Sequence, residues 1–177
     1  MASSRRERQK EKFRDISQDE RGNAVYTGAM HRHAGDEAMR RRTKAGLSIC
    51  LLAIAASVIG SGCIDSKGAM GSFYVILPYI GEVSAMFALM WSSAKLLGPK
   101  EIRTFVLENS GDKINGECRI LTFFALAGLM FSAVFVARNG MGGETVANIL
   151  YLVLKLASAV LAEFYRKTFS SAEWIKA

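Results

Sequence analysis

Four long runs of apolar residues, separated by short charged segments, dominate the pattern of hydrophobic and polar positions along this chain. The runs cover about residues 45–62, 72–97, 119–137 and 146–166. At about 1.5 Å per residue, each run is near the length that a helix needs to cross a hydrocarbon layer of about 30 Å. The pattern predicts an all-α integral membrane protein whose four transmembrane helices form an antiparallel bundle.

The polar remainder of the chain is small. Residues 1–44 form a polar, basic arm, and residues 45–177 contain the four-helix transmembrane domain with three connections and a short tail. Domains rarely contain fewer than about 50 residues. The arm is also too polar to build a hydrophobic core alone, so no second domain is predicted.

Basic residues are distributed unequally among the polar segments. The arm, the connection between the second and third runs, and the tail hold 20 Lys and Arg, whereas the other two connections hold only Lys67 and Arg138. Basic residues resist translocation across a membrane. The bias therefore predicts a cell inner (plasma) membrane protein with both termini in the cytoplasm and short outer turns at residues 63–71 and 138–145.

A basic cluster directly precedes the first run and consists of Arg40, Arg41, Arg42 and Lys44. Near a membrane surface, each basic residue contributes about 1 kcal/mol of attraction to anionic lipid head groups. We expect the cluster to contact such head groups or a partner protein. No aromatic residues are interleaved to stack on bases, so no nucleic-acid partner is predicted. Asp36 is expected to cap a helix that enters the membrane through this cluster.

The remaining polar segments give weaker patterns. Residues 5–21 alternate in charge, as is typical of a solvated or loosely helical segment, and residues 22–35 predict a loop or short hairpin. Residues 101–108 predict a short amphipathic surface helix, which the Asn and Gly of residues 109–116 should separate from the third run. The aromatic tail at residues 169–175 could lie on the membrane.

Two ionisable residues lie inside the apolar runs at similar predicted depths. Glu82 lies about ten residues into the second run and Lys155 about nine into the fourth. Both runs are predicted to cross the membrane in the same direction. An isolated charge at mid-membrane costs at least about 2.5–3.5 kcal/mol. We therefore expect the two side chains to face each other or a polar cavity.

Polar neighbours extend this pair into a candidate intramembrane site. Tyr79 precedes Glu82 by one helical turn, and on the fourth run Asn148, Tyr151, Lys155 and Ser158 follow a helical spacing of three and four. The predicted site consists of Glu82, Lys155, Tyr79, Tyr151 and Asn148.

Three interpretations of the pair are open. It could be a buried ion pair that fixes the register of the second and fourth helices. It could be a site for a proton, ion or small polar solute, with Glu82 as the titrating group. Lys155 could instead extend towards the membrane surface or contact another subunit.

No catalytic, metal or cofactor motif accompanies the site. His31 and His33 lack the Cys or carboxylate partners of a metal site, and no serine nucleophile motif is present. The leading hypothesis is a non-enzymatic accessory or assembly subunit of a membrane complex, associated with other membrane subunits or with copies of itself. The alternative is a small oligomeric transporter or channel for a proton, ion or small polar solute that uses Glu82 and Lys155.

Overall fold

The structure is a computed structural model that describes residues 16–19, 21, 23–34, 36–64, 72–99, 101–140, 145–172 and 174–176. The strands in this part of the chain are β1 (Ile16–Gln18), β2 (Ala24–Tyr26), β3 (Met30–His33), β4 (Ile102–Arg103) and β5 (Trp174–Lys176). The helices are α1 (Glu37–Cys63), α2 (Phe73–Leu97), α3 (Thr104–Asn139) and α4 (Thr145–Ser170).

Each of these helices contains one of the four predicted runs and is long and apolar enough to cross a membrane. The prediction of four helices that are long and apolar enough to cross a membrane is therefore confirmed for the described residues. Most of the two predicted outer turns, at residues 65–71 and 141–144, lies outside the described residues, as do residues 1–15 of the arm.

The helices form a ring in which chain neighbours run antiparallel. Both α1 and α3 pack on α2 and on α4, so α2 and α4 face each other across a diagonal of the ring. Contacts between α2 and α3 illustrate the opposed directions. Ser92 bonds Glu117, whereas Gly81, earlier on α2, lies against Phe124, later on α3.

The bundle buries polar side chains and exposes large apolar ones. Glu82, Lys155 and several serines are buried, whereas some of the largest apolar side chains are 60–70% exposed. Examples of the exposed group are Phe87, Trp91, Phe123 and Phe164. Such a surface would be unfavourable in water, but it suits helices surrounded by lipid, where polar groups must find partners inside the protein.

The first helix begins where the sequence predicts. Asp36 precedes α1, and its carboxylate accepts a hydrogen bond from the Met39 backbone N–H at 2.7 Å. A side-chain acceptor at this position satisfies an N–H group that has no partner within the helix. The helix then continues through the basic cluster into the first apolar run, so the cluster is rigidly joined to the bundle.

The third helix is longer than predicted. It runs without interruption over Thr104–Asn139, so the predicted break within residues 109–116 is wrong. Ile114 is fully buried in the bundle, and Asn115 accepts a hydrogen bond from the Ser170 hydroxyl on α4 at 3.0 Å. These tertiary contacts outweigh the cost of about 1 kcal/mol for each Gly inside a helix.

A three-stranded antiparallel sheet lies at the end of the bundle where α1 begins and α4 ends, which we call the sheet end. Its strand order is β4–β3–β5, so β3 of the arm lies between the α2–α3 connection and the tail. The Thr104 hydroxyl donates to the Ala29 carbonyl oxygen at 3.0 Å, and Ile102 is buried in the core. These contacts attach the described part of the arm to the bundle.

The strands are the main departure from the all-α prediction. β1 and β2 form an antiparallel hairpin, which begins earlier than the hairpin considered for residues 22–35. The Asp19 carboxylate accepts a hydrogen bond from the backbone N–H of Asn23. This hydrogen bond is the main reason that the pKa of the Asp19 carboxyl lies below its usual value. In the tail, β5 pairs with β3, and Phe169 is buried beside Tyr165.

We predict that replacing Gly81 by Ala destabilises the bundle. A Cβ atom at position 81 would lie 2.6–2.7 Å from the Phe124 ring, and overpacking of this kind typically costs about 1–3 kcal/mol. Gly116→Ala is the matched control, because a Cβ there meets nothing within 4 Å. The control should be neutral or stabilise by up to about 1 kcal/mol through helix propensity.

The measurement is the free energy of unfolding of both variants in detergent micelles. Unfolding is monitored by circular dichroism as denaturant is added. Equal effects of the two substitutions would show that the close approach of α2 and α3 at Gly81 does not limit packing.

Candidate functional site

The candidate site is centred on Glu82 and Lys155, which meet across the diagonal of the bundle. Glu82 lies near the middle of α2 and Lys155 near the middle of α4, and both side chains are completely buried. The Lys155 ammonium donates to Glu82 Oε2. The structure therefore brings together the two charges that the sequence places at similar depth.

The second carboxylate oxygen of Glu82 also has a partner. The Ser158 hydroxyl lies 2.6 Å from Glu82 Oε1 and 3.0 Å from the Lys155 carbonyl oxygen. A hydroxyl has one proton, and hydrogen bonds to an ionised acceptor are the stronger ones. We therefore assign this proton to the carboxylate. Both oxygens of Glu82 thus accept hydrogen bonds from α4.

Two tyrosine rings surround the Lys155 ammonium. Its Nζ atom lies 4.5 Å from the ring centroid of Tyr79 and 5.2 Å from that of Tyr151. Aromatic faces attract a cation, and the attraction increases when water is excluded. The two tyrosines stabilise the charged form of the lysine in addition to the carboxylate.

Two glycines of the flanking helices lie beside these large side chains, and one of them makes room for a tyrosine. At Gly62 on α1, a Cβ atom would lie 1.9 Å from the Tyr79 hydroxyl oxygen. At Gly128 on α3, a Cβ would contact the Lys155 stem at 3.7 Å. Gly62 is therefore needed to admit Tyr79, whereas a Cβ at position 128 would make only ordinary van der Waals contact with the lysine stem.

Asn148 completes the predicted polar stripe of α4. It is buried, as are Tyr151, Lys155 and Ser158. All four therefore lie on the inward face of the helix, as their spacing predicts. Among the described residues, no group of three or more His, Cys, Asp and Glu could hold a metal ion.

A second polar layer, nearer the sheet end, was not predicted from the sequence. The Tyr165 hydroxyl on α4 donates to the Ser93 hydroxyl on α2 at 2.7 Å, and the Ser92 hydroxyl donates to Glu117 Oε1 on α3 at 2.8 Å. Tyr165 follows Ser158 by seven residues, so the stripe on α4 could have been extended to it. The other carboxylate oxygen of Glu117 is buried and has no hydrogen-bond partner among the described residues.

An apolar layer separates the two polar layers. On α2 it consists of Ala85, Met86 and Leu89, each less than 7% exposed. The Glu82–Lys155 pair is therefore enclosed by apolar packing on the side that faces the sheet end.

The basic cluster lies at the sheet end, away from the ion pair. Arg41 forms an exposed ion pair with Glu37 at 2.7 Å, and Arg42 is exposed. The Lys44 ammonium donates to the Pro99 carbonyl oxygen at 2.6 Å, at the end of α2. Arg40 is partly buried. Within the basic cluster, Arg41 is therefore paired with a carboxylate. The other three side chains lack a carboxylate partner among the described residues.

Comparisons of this chain with protein-family models, with curated proteins and with solved structures gave no significant match.

We predict that breaking the ion pair from either side destabilises the protein, whereas replacing both partners does not. Glu82→Leu or Lys155→Met leaves one buried charge without its partner, which typically costs about 3–5 kcal/mol. The double variant removes both charges and should have nearly the wild-type free energy of unfolding. A buried pair often contributes little net stability compared with apolar packing.

The measurement is again denaturant titration in detergent. Ser84→Ala serves as the control, because that exposed hydroxyl bonds only within its own helix, to the Ile80 carbonyl oxygen. Direct pairing of Glu82 and Lys155 would be contradicted if the double variant lost as much free energy of unfolding as the two single variants lose together.

Proposed function

We propose that this protein is a non-enzymatic accessory or assembly subunit of a membrane complex. In this proposal the four helices form a rigid membrane scaffold, and the Glu82–Lys155 pair holds α2 and α4 in one register. The observation that carries the proposal is that both charged side chains are fully buried and hydrogen-bonded to partners within the bundle.

The contacts of the pair favour a structural role over a transport role. A site that binds and releases a solute must exchange partners with that solute. Here the two oxygens of Glu82 already accept hydrogen bonds, and two tyrosine rings surround the ammonium. A solute would have to displace this satisfied network in a low-dielectric interior, where unpaired charges are costly.

The sheet end is the part of the described chain that suits contact with other proteins. It joins the arm, the α2–α3 connection and the tail in one sheet. We propose that this end faces the cytoplasm at the cell inner membrane, because the basic arm, the α2–α3 connection and the tail hold 20 of the Lys and Arg residues. Other membrane subunits, or further copies of this chain, are the proposed partners.

The alternative function, a small oligomeric transporter or channel, has one observation in its favour. Glu117 has a buried carboxylate oxygen with no hydrogen-bond partner in the described part of the chain, and such a group can mark a position for a proton or ion. The apolar layer of Ala85, Met86 and Leu89 between Glu117 and Glu82 counts against a continuous polar path.

The test of the proposed function is purification from the native host in nanodiscs, followed by native mass spectrometry. We expect a stoichiometric foreign subunit. A homo-oligomer without a foreign subunit would favour the alternative. That alternative would be established by proton-dependent solute uptake into vesicles that Glu82→Gln abolishes and the control Ser84→Ala does not.

A further inference from the structure

Two exposed lysines flank the contact between α2 and α3 near the sheet end. The Ser92 hydroxyl on α2 bonds Glu117 on α3, and the two helices run antiparallel. Three to four residues further towards the sheet end, α2 therefore carries Lys95 at about the same height as Lys113 on α3. Both side chains are exposed, and neither forms an ion pair with a carboxylate among the described residues. These two positive charges thus lie at one level on neighbouring helices.

This level corresponds to the boundary of a hydrocarbon layer centred on Glu82. Lys95 follows Glu82 by thirteen residues on α2, which is about 20 Å at about 1.5 Å per residue. Half of a hydrocarbon layer of about 30 Å is about 15 Å. The ring centroid of Trp91, which is 70% exposed, lies 5.2 Å from the Lys95 ammonium, and tryptophan is typical of the interface between lipid and water. The two lysines therefore lie where phospholipid head groups begin.

The surface on the membrane side of the lysines keeps to the same face of each helix. At successive spacings of four and seven residues from each lysine lie exposed or partly exposed side chains, which we call the α2–α3 seam: Leu77, Ser84 and Ala88 on α2, and Ile120, Ala127 and Phe131 on α3. Such spacings return to one side of a helix. The three large members of the seam are apolar and 42–55% exposed. The other three members are small, so an acyl chain can approach the helix backbones between the large ones.

Two contacts show that this face lies where α2 meets α3. The ring centroid of Phe131 lies 6.1 Å from that of Tyr74 on α2. A Cβ atom at Gly81, one turn from Leu77, would contact the Phe124 ring on α3. The apolar seam and the two lysines therefore belong to one continuous surface.

The contact between α3 and α4 at the same end differs, because its basic residues already have an acidic neighbour. Glu163 on α4 lies close enough to attract Arg119 and Lys167. On the α2–α3 side, Glu117 lies one turn from Lys113. Its carboxylate accepts a hydrogen bond from a serine hydroxyl of α2 and forms no ion pair with that lysine. Positive charge therefore remains available beside the α2–α3 seam.

We propose that Lys95 and Lys113 bind the phosphate group of an anionic phospholipid whose acyl chains lie along the α2–α3 seam. Ammonium groups are common protein ligands for phosphate. The apolar surface that continues from the lysines fits an acyl chain and gives a soluble anion nothing to contact. This inference goes beyond the proposed accessory function and does not depend on it, because the two lysines and the seam take no part in the Glu82–Lys155 pair.

The test uses the full chain, which is purified in detergent, depleted of lipid, titrated with phosphatidylglycerol or phosphatidylcholine, and examined by native mass spectrometry. Wild-type protein should retain phosphatidylglycerol in preference to phosphatidylcholine. Lys95→Gln with Lys113→Gln should weaken phosphatidylglycerol binding about 30-fold, as expected for two basic residues near the membrane surface. Arg119→Gln with Lys167→Gln removes the same charge from the α3–α4 side and should leave the preference close to wild type.

A second pair of variants changes the seam without changing its charge. Ala88→Phe places a ring across the seam and should weaken phosphatidylglycerol binding. Ala94→Phe should not, because Ala94 is an exposed residue of α2 that does not follow the seam spacing. Lys95→Arg with Lys113→Arg keeps both cations and should retain the lipid preference, which separates loss of binding from loss of folding.

Equal losses in the two Gln double variants would replace the specific site by diffuse attraction and overturn the proposal. So would equal effects of the two Phe variants, or equal retention of the two lipids by wild-type protein. Displacement of phosphatidylglycerol by excess inorganic phosphate would also overturn it, by identifying a site for a soluble anion.

Discussion

A charge inside a hydrocarbon layer must have a partner, and in this bundle the partner of Lys155 is on the opposite helix. The Glu82–Lys155 pair spans the diagonal between α2 and α4, whose backbones are separated by the two helices that flank them. The pair joins two helices that do not pack side by side, because α1 and α3 each contact both of them. Its formation therefore constrains the arrangement of the ring as well as the register of the two charged helices.

The small residues and aromatic rings around the pair follow from the same constraint. A lysine stem and two tyrosine rings occupy much of the bundle centre, so α1 needs a residue without a side chain where Tyr79 passes. Gly62 on α1 admits Tyr79, and Gly128 on α3 lies along Lys155. Satisfied polar layers of this kind favour one packing arrangement over others, because any slip of a helix leaves a buried polar group without its partner.

The sheet end extends this order beyond the spanning segments. The second polar layer, with Ser93 and Tyr165, again joins α2 to α4, and the sheet beyond it joins the arm to the α2–α3 connection and the tail. The same end carries the basic cluster of Arg40, Arg41, Arg42 and Lys44. Packing, strand pairing and positive charge thus coincide at one end of the bundle.

The sequence by itself determined the membrane class, the four spanning helices, the Asp36 cap and the inward stripe of α4. Each of these depends on local information: apolar length, a capping side chain, or helical period. The depth of Glu82 and Lys155 could also be counted along the two runs, and the cost of an isolated charge made their pairing the expected outcome.

Only the tertiary structure decided the features that depend on contacts between distant segments. The continuity of α3 through residues 109–116 requires packing against α4 that local propensity does not contain. The sheet joins strands of two to four residues from three separate parts of the chain, and such short strands carry no readable periodicity. The second polar layer likewise arises from which side chains meet once the helices have packed.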